Sequence, residues 1–248
     1  VDPTDPDIVY ALGQFDYGNS SGGVYRSLDG GDHWVDIGYA MHPDYHGIAI
    51  RRDAPENVVI GNDGGVWRSA SRGGRLRATD PIRANAWVNL NGKVDPQSGL
   101  VSADYGLQIT QFSSIAQHPS RVDRLYGGTQ DNGSLIKDDD GHAWSDKAGG
   151  DGGNMLVDPE NPDLVYSTEF GIQLFRNDDG MLGEFGRKRA VTTGIDRSDR
   201  SEFYIPWAFD PNRSSRLFMG TFRVYRSDDH ADHWQAISPD LTSGCPGG

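Results

Sequence analysis

The sequence of 248 residues lacks several features that would mark particular classes of protein. Its single cysteine, Cys245, excludes a disulfide within the chain and a cysteine-based zinc site. No run of about twenty apolar residues is present that could cross a bilayer. The first six residues do not resemble a signal peptide, so if the protein is exported we expect the signal to lie outside this chain.

Basic residues are also scarce. The chain has 23 Lys and Arg against 36 Asp and Glu, which gives a formal net charge of -13. Such a charge repels nucleic acid and anionic lipid surfaces at long range, and no cluster of Lys and Arg reverses it locally. We therefore expect neither a nucleic-acid partner nor membrane insertion.

Long segments with a helical period and helix caps are absent as well. The chain is rich in glycine (33) and proline (13), and only 35% of its residues are hydrophobic. This composition favours many short strands joined by turns. The length suffices for one large all-β domain or two small ones, each with a real core.

One short turn motif is repeated along the chain. Its best copy is Ser27 to Trp34, SLDGGDHW, and further copies stand at 227–234, 137–144 and, more faintly, 177–180. Ser and Asp oxygens can bond backbone N–H groups of such a turn, Gly allows positive φ, and Trp anchors the turn to apolar packing. We predict a structural role, without chemistry, for Ser27, Asp29, Gly31, Trp34, Asp139, Trp144, Ser227, Asp229 and Trp234.

A second phrase, a proline-rich turn followed by a strand, precedes each copy of the first. Its five copies lie at 2–10, 53–60, 118–126, 158–166 and 210–218. The resulting unit of four antiparallel strands, repeated, predicts an all-β fold, a β-propeller. We predict a propeller domain over 1–242, with about five blades starting near residues 2, 46, 112, 154 and 205, and a linker or tail at 243–248. Five units either close as a small propeller or belong to a larger one with further blades.

The pattern Ser-x-Asp-x-Gly-x-x-Trp resembles the Asp-box, or bacterial neuraminidase repeat. This resemblance implies a propeller superfamily that includes sialidases, family 74 xyloglucan hydrolases, the sortilin ectodomain and a photosystem assembly factor. The box does not choose among enzyme, receptor and chaperone. Phrases at 46–50, 61–67, 127–133 and 149–153 resemble secreted bacterial proteins described as sortilin-like or family-74-like, which implies a secreted or cell-surface location.

The glycine-flanked polar phrases are the candidate sites. Asp63 stands just before a glycine pair, as an acidic residue does in family 74 hydrolases, so the resemblance makes it the first catalytic candidate, with Asp151 second. An inverting glycosidase needs such a carboxyl pair. The alternative is that Asp63, Asp131 and Asp151 cap turns. Likewise, His46 is either a hydrogen-bonded channel residue or a general base.

Binding of a glycan or protein on the channel face is the predicted function, with an inverting glycoside hydrolase as the alternative. The candidate ligand-binding residues are His46, Asn62, Gln130, Asp131 and Asn132. Exposed tyrosines can stack on sugar rings or pack between blades, and the candidates are Tyr17, Tyr39, Tyr45 and Tyr105. A sialidase is the weaker alternative, because Tyr204 precedes Ile205 and Pro206 where the sialidase signature has arginine.

No cofactor is expected, and calcium is the one metal left open. The run Asp138 to Asp140 offers oxygen ligands but lacks the spacing of a dedicated calcium loop. The histidines His230 and His233 would share a zinc ion only on a helix, and they lie in a turn motif instead.

Overall fold

The structure, a computed structural model, describes residues 1–14, 23–38, 41–74, 86–91, 93–94, 101–102, 110–138 and 144–242. In these ranges every regular element is a β-strand. The all-β prediction is therefore confirmed. No helix of the described residues is long and apolar enough to cross a membrane.

The chain forms two compact units, Val1–Thr110 and Gln111–Gly248. Unit 1 contains sheet 1 (β1–β3), sheet 2 (β4–β7) and a two-stranded ribbon, β8–β9. The ribbon follows sheet 2 in the chain. The strands of unit 1 are β1 Val9–Leu12, β2 Val24–Ser27, β3 Val35–Asp36, β4 Tyr45–Ile50, β5 Val58–Asn62, β6 Gly65–Ser69, β7 Val88–Asn89, β8 Lys93–Val94 and β9 Val101–Ser102.

Unit 2 contains sheet 3 (β10–β13), sheet 4 (β14–β17) and sheet 5 (β18–β21), each with four strands. Its strands are β10 Phe112–Gln117, β11 Leu125–Thr129, β12 Gly133–Lys137, β13 Ser145–Ala148, β14 Met155–Val157, β15 Val165–Thr168, β16 Leu174–Asn177, β17 Arg189–Ala190, β18 Trp207–Asp210, β19 Arg213–Gly220, β20 Val224–Ser227 and β21 Gln235–Ala236.

In every sheet the strands follow one another in chain order and neighbouring strands run antiparallel, which is the arrangement of a propeller blade. Sheet 1 has three strands because its proline turn comes before β1, whereas the proline turns of the other sheets separate the first and second strands. The structure thus confirms propeller-type blades, four of them with the predicted four strands.

Each sheet has two different ends. The proline turn and the Asp-box turn lie together at one end, here called the turn end, where Gly30 N donates to Asp7 O at 2.9 Å and Gly180 N donates to Asp163 O at 2.8 Å. The hairpin between the second and third strands and the links between sheets lie at the other end, here called the loop end. The predicted site residues of the glycine-flanked phrases all lie at loop ends.

The Asp-box turn is held by its own side chains, as predicted. Ser27 Oγ accepts the Gly31 N–H at 2.9 Å and donates to Asp29 Oδ1 at 2.7 Å. The His33 backbone N–H donates to Asp29 Oδ1 at 2.9 Å, and this bond, with those from Ser27 and the His33 ring, lowers the pKa of Asp29 to about 2. The copy at Ser227 has the same bonds, with Ala231 N on Ser227 Oγ at 3.0 Å.

The tryptophans that follow the boxes differ in their contacts. Trp234 is 5% exposed and donates to Val191 O at 2.8 Å, so it anchors its turn as expected. Trp34 is 41% exposed and donates to Gly31 O within its own turn, so for this copy the predicted apolar anchor is wrong. The ring of Trp144 lies 4.9 Å from that of Phe112, while Asp139 is outside the described residues.

Sheet 2 carries a box-like turn that the sequence analysis missed. Ser69 Oγ accepts the N–H groups of Ser71 at 3.2 Å and Gly73 at 2.9 Å, as Ser27 Oγ does in the first box. The pattern was hidden because Ser71 stands where the other copies have Asp, and no Trp follows at the usual distance. Ser69 and Gly73 are sufficient to keep the backbone geometry of the turn.

Neighbouring sheets are joined at their turn ends by a recurring clasp. Arg72 of sheet 2 lies 3.0 Å from the carboxylate of Asp2, and His230 of sheet 5 lies 3.2 Å from that of Asp158, where both carboxylate side chains are 0% exposed. Arg72 and His230 have φ of 53° and 58°, at the box position occupied by Gly30 in sheet 1 and Gly180 in sheet 4. A left-handed conformation costs about 1 kcal/mol or more for a residue with a side chain. In each case the side chain that the turn gains lies against a buried carboxylate.

The clasp between sheets 3 and 4 has no buried ion pair. Its box residue is Gly180, which carries no cation, and its proline turn has His118 where the other two have Asp. The buried His118 ring accepts the N–H groups of Ser120 and Arg121, both at 3.2 Å, through Nδ1. In these three clasps a buried carboxylate is present only where the next box supplies a basic side chain, Arg72 or His230.

We predict that acid weakens the turn that contains His118. Burial, reinforced by Arg124 and Arg121, lowers the pKa of His118 below its ordinary 6.5, since Nδ1 must stay unprotonated to accept its bonds. The stabilisation is therefore complete above pH 6.5 and is lost as the pH falls through the folded-state pKa. Urea melts between pH 7.5 and 5 should show a steeper loss in the wild type than in His118→Asn, whose amide oxygen accepts the same bonds without titrating. Equal slopes would contradict this.

The cores of both units lie between adjacent sheets. In unit 1 the buried residues between sheets 1 and 2 include Val24, Ile37, Val58 and Ile60. In unit 2 one cluster, with Tyr126 and Met155, joins sheets 3 and 4, and the largest, with Tyr166, Leu174 and Leu217, joins sheets 4 and 5. Within each unit, adjacent sheets thus bury a face against each other, as blades do.

Candidate functional site

At the loop end of unit 1 the structure brings two predicted residues together. His46, at the start of β4, has its Nε2 2.5 Å from Asp63 Oδ1, in the β5–β6 hairpin. The side chains are 67% and 27% exposed, respectively. The carboxylate thus orients an imidazole that solvent reaches, an arrangement suited to binding a polar ligand or to transferring a proton.

Asn62, a predicted ligand-binding residue of the same hairpin, is buried and bonded within the protein. Its Nδ2 donates to His42 O at 2.5 Å, and its Oδ1 accepts from Gly64 N and Trp67 Nε1, both at 3.1 Å. A ligand would reach Asn62 only by displacing these bonds. Asn62 therefore stabilises the hairpin that carries Asp63.

At the loop end of unit 2 the phrases at 127–133 and 149–153 meet. Asp131 has φ of 62°, and its backbone N–H donates to Asp151 Oδ1 at 3.3 Å. Asn132 Nδ2 donates to Gln130 O at 3.1 Å. Asp151 therefore caps a turn, as the alternative to catalysis supposed, and the half-buried Gln130, Asp131 and Asn132 lie beside it.

The glycines of these two phrases admit neighbouring backbone. A Cβ added to Gly128 would lie 1.8 Å from Gly153 O, and one added to Gly152 would lie 2.0 Å from Gly133 O. The Ser113 hydroxyl donates to Gly152 O at 2.9 Å and closes the same contact. Glycine is needed here because sheet 3 packs directly against its link to sheet 4.

Beside Asp151 lies an aromatic ledge, defined here as Phe170, Phe203 and Tyr204. Phe170 and Phe203 are 49% and 51% exposed, and their rings stack with centroids 6.0 Å apart. Tyr204 meets Phe203 edge-on at 4.8 Å. The Gly171 N–H donates to Phe203 O at 2.8 Å, which ties the β15–β16 hairpin to the link before sheet 5 and holds the two phenyl rings together.

The Tyr204 hydroxyl faces the acidic side of the ledge. Its Oη is closed to solvent and lies next to the Ser113 hydroxyl. Burial raises the pKa of Tyr204; the nearby Ser113 hydroxyl lowers it, and the carboxylates of Asp151 and Asp131 raise it further. The ring also packs on Gly153, where an added Cβ would lie 2.5 Å from Tyr204 Cδ1.

No sequence pattern predicted the ledge, and one of the tyrosines predicted to be exposed is buried. Phe170 and Phe203 stand in short apolar phrases that read as strand ends, and only their exposure distinguishes them. Tyr45 is buried, 6% exposed, and its hydroxyl donates to Gly38 O at 3.1 Å, so its predicted exposure is wrong and packing wins. The other three tyrosines proposed for stacking, at positions 17, 39 and 105, lie outside the described residues.

The residues considered for metals are engaged elsewhere. Asp138 pairs with Arg124 and Arg121, and the two aspartates after it lie outside the described residues. His230 pairs with Asp158, while His233 Nδ1 lies 2.8 Å from Asp229. Within the described ranges no three His, Cys, Asp or Glu side chains group as metal ligands.

Comparison with known proteins finds likeness only among solved structures. No family model and no curated protein matches the chain. It is similar to an ancestral GH74 enzyme (14% identity, TM-score 0.41), to the GH74 xyloglucanase from Xanthomonas campestris (19%, 0.40) and to YCF48 from Cyanidioschyzon merolae (16%, 0.37). These matches cover 96%, 97% and 86% of this chain.

The chain spans only part of those proteins, namely 30%, 38% and 65% of their respective lengths. At such identities and TM-scores they say nothing about the roles of individual residues.

Proposed function

We propose that the protein binds a glycan through the loop end of unit 2, outside the cell or at its surface. The observation that supports this is the aromatic ledge of Phe170, Phe203 and Tyr204 next to Asp131 and Asp151. Exposed groups of aromatic side chains with polar residues around them are typical of binding surfaces.

The chemistry of the ledge suits a sugar better than a flat apolar partner. The C–H face of a pyranose packs on an exposed aromatic ring, while carboxylates and amides beside the ring accept its hydroxyl protons. Phe170 and Phe203 offer the faces, and Asp131, Asn132 and Asp151 offer the polar rim. A protein ligand on the same surface is the other form of the proposal.

Removal of one ring is the direct test. Phe203→Ala should weaken glycan binding by tenfold or more, since an exposed stacked ring is lost with little effect on folding. The measurement is a glycan array followed by calorimetric titration of the best ligand. Trp34→Ala removes an aromatic ring of similar exposure at the turn end of unit 1 and should leave the affinity unchanged. Equal affinities of the wild type, Phe203→Ala and Trp34→Ala for the glycan would contradict the proposal.

A glycoside hydrolase is the second candidate, and the His46–Asp63 pair favours it. A solvent-facing imidazole held by a carboxylate could exchange protons with a polysaccharide substrate. Asp63→Asn should then abolish hydrolysis of a β-glucan or a related polysaccharide and leave the melting temperature nearly unchanged, since the pair is exposed. Asp53→Asn, an exposed carboxylate of the same sheet, is the control. Unaltered turnover in Asp63→Asn would rule out this reading.

A further inference from the structure

In both units a tryptophan anchors one sheet to the sheet before it. Trp87 of sheet 2 donates its indole N–H to Ile37 O at 2.7 Å, and Trp234 of sheet 5 donates to Val191 O at 2.8 Å. Each tryptophan stands directly before the last strand of its own sheet, and each acceptor stands directly after the last strand of the preceding sheet. Ile37 and Val191 are only 3% and 1% exposed and share a buried cluster with the tryptophan that bonds them. The two joints between sheets are therefore built in the same way.

Sheet 5 presents the aliphatic half of such a joint to solvent. Ile237 follows β21 as Val191 follows β17, and the backbone N–H groups of both donate to the first residue of the third strand, Val224 O and Leu174 O, at 2.9 Å. The two residues are therefore equivalent in the fold. Ile237 is nevertheless 45% exposed.

The strands of sheet 5 carry further residues of the same kind. In sheet 4 the Tyr166 hydroxyl and the Arg176 guanidinium both donate to His230 O, in the box of the next sheet. The same cross-strand pair in sheet 5 is Phe218 and Arg226. Tyr166 and Arg176 are buried, whereas Phe218 is half-buried and the Arg226 side chain is 37% exposed. Phe218, Arg226 and Ile237 are here called the open face of sheet 5.

Sheet 1 presents the tryptophan half of a joint. Trp34 stands directly before β3, in the position that Trp87 and Trp234 have in their sheets. Those two are 8% and 5% exposed, whereas Trp34 is 41% exposed and donates to Gly31 O within its own turn. Gly30 of the same box is also exposed. The box of sheet 1 thus carries an anchor residue whose ring faces solvent.

Charge also matches the open face to this box. Asp210 begins the proline turn of sheet 5, and its carboxylate lies 3.3 Å from Arg216 of the same sheet. A box with a basic residue, such as Arg72 or His230, would bring a second cation to a carboxylate that is already paired. A box with glycine at this position brings none. Sheet 1 has Gly30 there.

We infer that the open face of sheet 5 binds the box of sheet 1 in a second copy of this chain. Trp34 of one copy covers Ile237 of the other, and its indole N–H donates to Ile237 O instead of Gly31 O. Arg226 then donates to Gly30 O, as Arg176 donates to His230 O within one chain. The contact joins two different surfaces, so each dimer keeps one of each and can add further copies. It is independent of the proposed glycan binding, because it uses none of the residues of the ledge.

Sedimentation velocity at rising protein concentration tests this contact. The mean mass of the wild type should increase with concentration, and Trp34→Ala and Ile237→Asp should each weaken the self-association by about tenfold or more, as the loss of a central anchor does. Both side chains are exposed, so the circular dichroism spectrum should not change. An equimolar mixture of the two variants should form dimers and no larger species, because it contains only one competent pair of surfaces.

Leu182→Asp is the matched control for Ile237→Asp, since Leu182 is an aliphatic residue of unit 2 with a similar exposure of 48%. This variant should associate as the wild type does. A wild type that stays monomeric up to about 1 mM would overturn the inference. So would undiminished association of Trp34→Ala or Ile237→Asp, or a mixture of the two that associates no more than either alone.

Discussion

Gly128→Ala is expected to unfold unit 2 or to destabilise it by at least about 3 kcal/mol. The added Cβ would lie 1.8 Å from Gly153 O and 2.7 Å from Gly153 C, and both are backbone atoms that no side-chain rotation can move. Either the β11–β12 hairpin or the link after sheet 3 must shift, and the Ser113 bond to Gly152 O would break with it. Chemical denaturation followed by circular dichroism gives the measurement.

Gly149→Ala is the matched control for this substitution. It lies in the same link and, with an added Cβ, would meet only the Phe185 ring at an ordinary 3.6 Å. Its unfolding midpoint should stay close to that of the wild type. A Gly128→Ala protein as stable as Gly149→Ala would show that sheet 3 and its link are not packed backbone to backbone.

The second large effect is expected at the clasp between sheets 4 and 5. His230→Gly removes a left-handed residue with a side chain, which alone would stabilise by about 1 kcal/mol. It also removes the imidazole whose Nδ1 lies 3.2 Å from the carboxylate of Asp158, which is 0% exposed, and a buried polar group that loses its neighbour costs about 1–3 kcal/mol. We therefore expect a net loss of up to about 2 kcal/mol, measured as a shift in the urea midpoint.

A second substitution should restore the stability. Asp158→His combined with His230→Gly reproduces the His118 and Gly180 combination, in which the turn side chain is neutral and the box residue is glycine. The double variant should regain most of the loss at pH 7.5, where the new histidine is neutral. If instead the two substitutions add, the carboxylate and the imidazole contribute independently and the clasp is not the source of the effect.

Local sequence was sufficient for the blades and their turns. The hydrogen bonds between Ser27 and Asp29 join residues two positions apart, and each proline turn is equally short. The geometry of these turns can therefore be predicted from short stretches of sequence. The turn-capping role of Asp151 was also accessible, as one of two alternatives. The pairing of His46 with Asp63 was not, because it depends on the register between β4 and β5.

The contacts between sheets were out of reach for a different reason. The hydrogen bond from Arg72 to Asp2 joins residues seventy positions apart in the chain. Neither local sequence indicates the other residue as its partner. The left-handed backbone of Arg72 is likewise a consequence of the turn that contains it, although arginine does not favour that region. Phe170 and Phe203 look like core residues in the sequence, and only the packing of two loops shows that their faces remain exposed.

The charge matching at the turn ends limits how such a protein can be rebuilt. Repeats that contact only their neighbours are often treated as interchangeable parts. Here the proline turn of one sheet matches the box of the following sheet. Asp158 faces His230, whereas the turn with His118 is followed by a box that has Gly180 at this position. A shuffled chain that placed sheet 5 after sheet 3 would leave His230 facing His118. A chain that placed a glycine box after sheet 4 would leave the buried carboxylate of Asp158 without a basic neighbour. The order of the sheets is therefore encoded in their edges as well as in their connectivity.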